Sequence, residues 1–145
     1  MPRPFVISAL SLSVVLATGC SGGSPTVTPP PVVPDLVFLT QSEPQAVNMD
    51  ALYIGRVFVD DEHCTRLAGD GATVIWPAGF TVRLDGEAIR VIDNTGRDVG
   101  RLGESFWISG GEVNQLNPEL HISYMDRAMA HESCPGKYWI AAEVR

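Results

Sequence analysis

Residues 72–112 constrain the fold more than any other stretch. Short apolar runs recur there about every eight to ten residues, separated by Gly, Asp, Asn and Pro, the rhythm of a small antiparallel β-domain. Residues 72–76 read as a strand stopped by Pro77, and Ala78-Gly79 turns the chain. Phe80, Val82 and Leu84 then alternate with Thr81 and Arg83, one set facing inward and the other outward. Asp85-Gly86 marks a tight turn, and residues 89–92 and 97–102 pair as a hairpin around Asp93-Asn94-Thr95-Gly96. Phe106-Trp107-Ile108 adds a strand, and Ser109-Gly110-Gly111 reads as a bend or bulge.

On either side of this tract the pattern continues. Residues 52–59 form a strand with two largely apolar faces, as burial on both sides requires. Residues 36–49 read as an edge strand or an extended lead-in. Asn117 can cap a helix and Pro118 suits its first turn, after which Leu120, Tyr124 and Ala128 recur at helical spacing with Met125 and Met129. Residues 138–144 close the chain as a strand with Tyr138, Ile140, Ala142 and Val144 on one face. The expectation is one mainly β domain over residues 36–145. It is a small OB-like or SH3-like barrel, or rolled antiparallel sheet, of six to seven strands with one short helix near the C-terminus.

The formal net charge is -7, and the sequence holds no Lys/Arg cluster. Nucleic acid and anionic lipid headgroups both call for a basic surface, so neither is expected as a charge-driven partner.

The first 19 residues have the parts of a signal peptide. Arg3 supplies the positive end, residues 5–16 an apolar run interrupted by serines, and Ala17-Thr18-Gly19 the small residues before Cys20. That run is shorter than the roughly 20 residues a spanning helix needs. Leu-Ala-Thr-Gly-Cys looks like a bacterial lipobox, with Ala17 where a larger aliphatic is usual, so Cys20 is the expected lipidation point. Residues 20–35 then form a Gly/Ser/Pro-rich tether, flexible at first and stiffened toward polyproline by five prolines.

Cys64 and Cys134 remain inside the domain. In an oxidising compartment they pair by default, and a crosslink over about 70 residues is worth roughly 4 kcal/mol. The alternative is a Cys₂His₂ zinc set with His63 and His131, which neighbouring side chains such as His63 and Cys64 serve poorly. A second metal candidate is a helical face carrying His121, Met125 and Met129 with His131 just beyond, whose imidazole and thioether donors suit cuprous copper. Methionines so spaced also serve simply as core filler. No cofactor is expected.

Catalytic signatures are absent. Gly103-Glu104-Ser105-Phe106-Trp107 lacks the last glycine of a nucleophile elbow. Asp60-Asp61-Glu62 lacks the alternation of a calcium loop and reads as a solvated acidic turn. Trp76, Trp107 and Trp139 are core anchors or, where two share an exposed face, a platform for sugars or peptides.

Residues 52–144 resemble small bacterial envelope lipoproteins of no known activity. The resemblance rests on Cys64, on Trp76-Pro77-Ala78-Gly79 leading into a hairpin, on Gly110-Gly111-Glu112, and on Cys134-Pro135-Gly136-Lys137-Tyr138-Trp139. It implies fold and location and adds no mechanism. The functional expectation is a non-enzymatic lipoprotein, tethered to a membrane through its N-terminal lipid, with a structural or binding role toward an envelope protein or glycan. The alternative is extracytoplasmic copper binding.

Overall fold

The computed structural model describes residues 35–44 and 49–145, apart from the side chains of Tyr124 and Met125. The leader, Cys20 and the tether up to residue 34 lie outside the described residues. Eight strands follow one another: β1 (Ala51–Val59), β2 (Thr65–Leu67), β3 (Thr73–Ile75), β4 (Thr81–Asp85), β5 (Ala88–Ile92), β6 (Asp98–Arg101), β7 (Ser105–Val113) and β8 (Tyr138–Val144). One α-helix, α1 (Tyr124–Ser133), precedes β8.

Five strands close a barrel in the order β1-β2-β3-β8-β7, and β4-β5-β6 form a separate three-stranded sheet between β3 and β7. Of the small-barrel outlines expected, this is the five-stranded, OB-like one. Two features depart from a simple rolled antiparallel sheet. The strand count is eight, because β2 is a three-residue strand with no alternation long enough to read. β3 and β8 pair in parallel, Thr73 beside Tyr138 and Ile75 beside Ile140.

The barrel interior is built by alternation along β3 and the first half of β8. Val74 and Trp76 point in from the β3 segment and Trp139 and Ala141 from β8, meeting Val57, Leu67, Phe106 and Ile108. Trp76 is the hub: Phe38 stacks on it at 5.2 Å, Phe106 meets it edge-on at 5.7 Å, and its Nε1 donates to Thr65 Oγ1 at 3.1 Å. The opposite faces of the same two strands carry Ile75, Tyr138 and Ile140. With Leu39, Leu116, Ile122 and Ala130 they form a second core outside the barrel, under α1 and the lead-in.

Among its described residues the lead-in makes only isolated bridges, Val37 to Cys64 and Thr40 to Trp76 in parallel and Gln41 to Ile122 antiparallel. Gln41 is buried and its amide donates to the Ala141 carbonyl.

Two sequence expectations need correction. The helix does not begin at Asn117. Pro118–Leu120 is a single 3₁₀ turn, His121 takes a left-handed conformation (φ 48), and Ser123 caps α1 by accepting from the Asp126 amide at 3.0 Å. Nor does Val144 share a face with Tyr138 and Ile140. The β7–β8 register runs Ser109 to Glu143 and then Gly110 to Ala141, so Ala142 is an extra residue. That bulge switches the faces, sending Val144 into the barrel core and leaving Ala142 exposed. The bend expected at residues 109–111 is this same bulge. It needs Gly110, because a Cβ there would land on the Ile140 carbonyl oxygen and lie 2.8 Å from Trp139 Nε1.

Candidate functional site

The Cys64–Cys134 disulfide joins the β1–β2 loop to the end of α1, with Cα atoms 5.8 Å apart. With both sulfurs bonded to each other, the Cys₂His₂ zinc set does not form; His63 and His131 are exposed. Beside the disulfide the chain turns sharply after β1. The Asp60 carboxylate accepts the amides of Glu62 (3.0 Å) and Cys64 (2.8 Å), and His63 takes φ 64 within the turn.

Arg66, pointing outward from β2, completes this corner. Its Nε donates to Asp60 at 2.6 Å, one terminal nitrogen to Glu62 at 3.2 Å, and the other to Thr73 Oγ1 at 2.8 Å and the Pro135 carbonyl at 3.2 Å. Burial is the largest influence on Asp60 and works against its ionisation. The Arg66 hydrogen bond and charge, with the two amides, outweigh it and hold the carboxyl below its ordinary value. Asp60 is therefore a structural acid in a part-buried ion pair and not a solvated one. Its carboxylate, the Glu62 carboxylate and Cys64 Sγ lie within 4.8 Å of one another. The sulfur is committed to the disulfide, and the guanidinium sits where a cation would.

This corner bears on ligand binding. Five-stranded barrels of this outline bind oligonucleotides and oligosaccharides on the face of their second and third strands, between flanking loops. Here those loops carry Cys64 and Cys134 and are crosslinked, and Arg66 lies across β2 and β3 beneath residues 134–136. That face is closed.

The His/Met set is not a helical stripe. His121 precedes α1, and its carbonyl accepts from the Ser42 amide and hydroxyl. Met129 is exposed, whereas His131, two residues or about 200° round the helix, meets the Tyr138 ring edge-on at 6.4 Å. The Met125 side chain lies outside the described residues.

The tryptophans part company. Trp76 is fully buried and Trp139 is 7% exposed, so neither contributes to a surface platform. Trp107 lies on the outer face of β7, directly across from Ile54 on β1, and Leu52 lies across from Ser109. Leu52 and Ile54 are 50% and 68% exposed, among the described residues the most open large apolar side chains together with Met129. The Arg145 guanidinium sits 4.9 Å over the Trp107 ring and bonds the Glu143 carboxylate at 2.7 and 2.9 Å. A pocket of about 460 Å³ opens beside the ring, lined by Asp50, Leu52, Trp107, Ser109, Ala142 and Glu143.

Protein-family models, curated proteins and solved structures were each compared with the chain, and none matches.

The open face therefore rests on its own geometry. It combines an aromatic ring, two aliphatic side chains, two carboxylates and a hydroxyl, a mixture suited to holding an amphipathic ligand such as a sugar ring or peptide. Ser105 opens β7 opposite Arg56, and no histidine side chain bonds a serine or cysteine among the described residues. Sequence reasoning missed Arg66, whose acids at positions 60 and 62 were the available signal. It also could not tell Trp107 from Trp76 and Trp139, since all three sit in apolar strands.

Proposed function

We propose that this chain is a non-enzymatic, extracytoplasmic lipoprotein of the bacterial envelope, lipidated at Cys20 and carried on its Pro-rich tether. Its barrel binds an envelope glycan or protein through the Leu52, Ile54 and Trp107 face. The observation that carries the binding role is the exposure of Leu52 and Ile54 beside Trp107, apolar side chains grouped on one outer face where, among the described residues, the Arg145 guanidinium overlies the ring. The Cys64–Cys134 disulfide supports an oxidising compartment, and the small residues before Cys20 support lipid attachment. The closed β2–β3 face supports looking for the ligand elsewhere than on the strands that barrels of this outline commonly use.

Trp107 also provides the assay. With Trp76 and Trp139 buried, a ligand that changes tryptophan emission reports on Trp107. Envelope oligosaccharides and apolar peptides are titrated separately against the full chain and its Ile54→Asp variant. A saturable shift that the variant loses identifies the ligand class. Emission unmoved by either, with Ile54→Asp leaving cellular partners unchanged, overturns the assignment.

A further inference from the structure

A closed barrel has no strand edges, but the three-stranded sheet has two. The β6 edge is protected. Its register against β5 shifts between Val91 and Ile92, and the chain then returns to the barrel as Leu102 bonds Ile89, Gly103 bonds Val57 and Val57 bonds Glu104. The β4 edge is bare. Among the described residues its backbone bonds only to β5, in a continuous register from Thr81 to Asp85, with no proline and no bulge. Natural edges left in that state accept another strand.

Which groups face outward follows from the turn. Gly86 and Glu87 make a two-residue hairpin loop with φ 63 at Gly86, closed by the Asp85 and Ala88 pair. A closing pair of that kind exchanges its hydrogen bonds across the hairpin. By alternation Arg83 and Thr81 also direct theirs to β5, leaving the N–H and C=O of Val82 and Leu84 on the free edge. The side chains of Thr81, Arg83 and Asp85 share the exposed face, while Val82 packs toward the barrel.

The charges on that face are unbalanced in an informative way. Arg83 lies directly opposite Arg90, and Arg90 opposite Arg101, a like-charged row that costs stability. Arg90 is held by Asp85 at 3.3 Å and Asp98 at 3.5 Å, and Arg101 by Glu104 at 2.9 Å. Arg83 has neither ion pair nor side-chain hydrogen bond among the described residues. Asp85 bonds Arg90 through Oδ2, and among the described residues no donor reaches its Oδ1.

We infer that the β4 edge pairs antiparallel with the β4 edge of a second copy of this chain, about a two-fold axis at Leu84. The two Leu84 residues exchange backbone hydrogen bonds, and Arg83 of each copy faces Asp85 of the other on both sides of the axis. The two sheets become one of six strands. A register centred on Arg83 would set the two Arg83 side chains against each other, so charge selects the Leu84 register. The inference does not depend on the lipid anchor or on the Trp107 face, which lies on other strands.

The test uses the full chain in a mild, density-matched detergent, over concentrations up to about 1 mM. Sedimentation equilibrium reads the dimer, and hydrogen exchange of the Val82 and Leu84 amides reads the edge. Exchange at these two amides slows as concentration rises. Arg83→Asp and Asp85→Arg each weaken dimerisation about tenfold or more, and the double variant restores it to within about threefold. Near-ultraviolet circular dichroism checks that each variant keeps its fold. A monomer throughout the range overturns the inference, as does a dimer that ignores both reversals or leaves these two amides exchanging freely.

Discussion

Replacing Arg66 by Met keeps the aliphatic stem and removes the guanidinium. The Arg66 side chain is 11% exposed and its partner Asp60 20%, so the pair counts as largely buried. Stripping one partner from a buried pair costs about 3–5 kcal/mol. Glu62 is 61% exposed and adds little, about 0–1 kcal/mol. The amides of Glu62 and Cys64 stay on Asp60 and soften the loss. The expected cost is therefore at the lower end, about 3 kcal/mol, read as a lower urea midpoint with the disulfide intact. Asp60→Asn alone keeps an acceptor for the amides. The double variant should cost less than the sum of the two singles by about 1–2 kcal/mol.

The pH dependence provides an independent check. In the native chain Asp60 sits below 3.8, so its contribution is present above 3.8 and lost as pH falls through its folded value. Without Arg66, burial is opposed only by the amides of Cys64 and Glu62, so that value rises and the variant loses less stability on acidification than the native chain. The gap between the two proteins narrows from neutrality to below pH 3.8. A loss under about 1 kcal/mol, additive single variants, or a gap constant with pH would refute the reasoning.

Two further outcomes follow from the fold. Replacing both Cys64 and Cys134 by Ala, which opens a crosslink spanning 70 residues, should lower unfolding free energy by about 4 kcal/mol in urea titrations. An unchanged midpoint would show that the corner is held without it. Gly110→Ala should cost about 3 kcal/mol or more by driving a methyl into the Ile140 carbonyl. Gly103→Ala, with a positive φ but open space around it, should cost about 1–2 kcal/mol by the same denaturation assay. Equal losses would argue against the close approach at the bulge.

What the sequence made legible was whatever repeats locally. The alternation in residues 80–84, the Asp85-Gly86 turn and the hairpin around residues 93–96 are fixed by neighbours in sequence, and the structure has them. Asp93 shows why the last is so readable. Its carboxylate bonds the amides of Thr95 and Arg97 and the Thr95 hydroxyl, and these bonds lower its pKa to about 2. The disulfide was legible from the expectation of export and the pairing of the two cysteines left inside the domain, which needs no geometry. Features decided by distant partners were not. Ala142 becomes an extra residue only because of what β7 does across from it, so a period of two carried Val144 to the wrong face. β2 is a strand because β1 and β3 flank it. His121 looked helical by spacing, but the helix was fixed by Ser123, whose capping oxygen is a stronger start signal than Asn117, which makes no side-chain cap. The row Arg83, Arg90 and Arg101 is dispersed in the sequence and meets only across the sheet. Trp107 could be separated from Trp76 and Trp139 only once the uncovered face was known.

The parallel pairing of β3 with β8 sets an order on how the chain reaches its native state. β4, β5 and β6 are linked by turns of a few residues, and hairpins of that kind assemble in about 1–10 μs. Thr73 and Tyr138 meet only after the intervening sheet, β7 and α1 have been gathered, and such a distant encounter bears its loop-closure entropy before any contact compensates it. By contact order the insertion is expected to form early, shortening the effective loop between β3 and β7, and closure by β8 to come late. A crosslink between Cys64 and Cys134, 70 residues apart, constrains that late encounter whenever it forms.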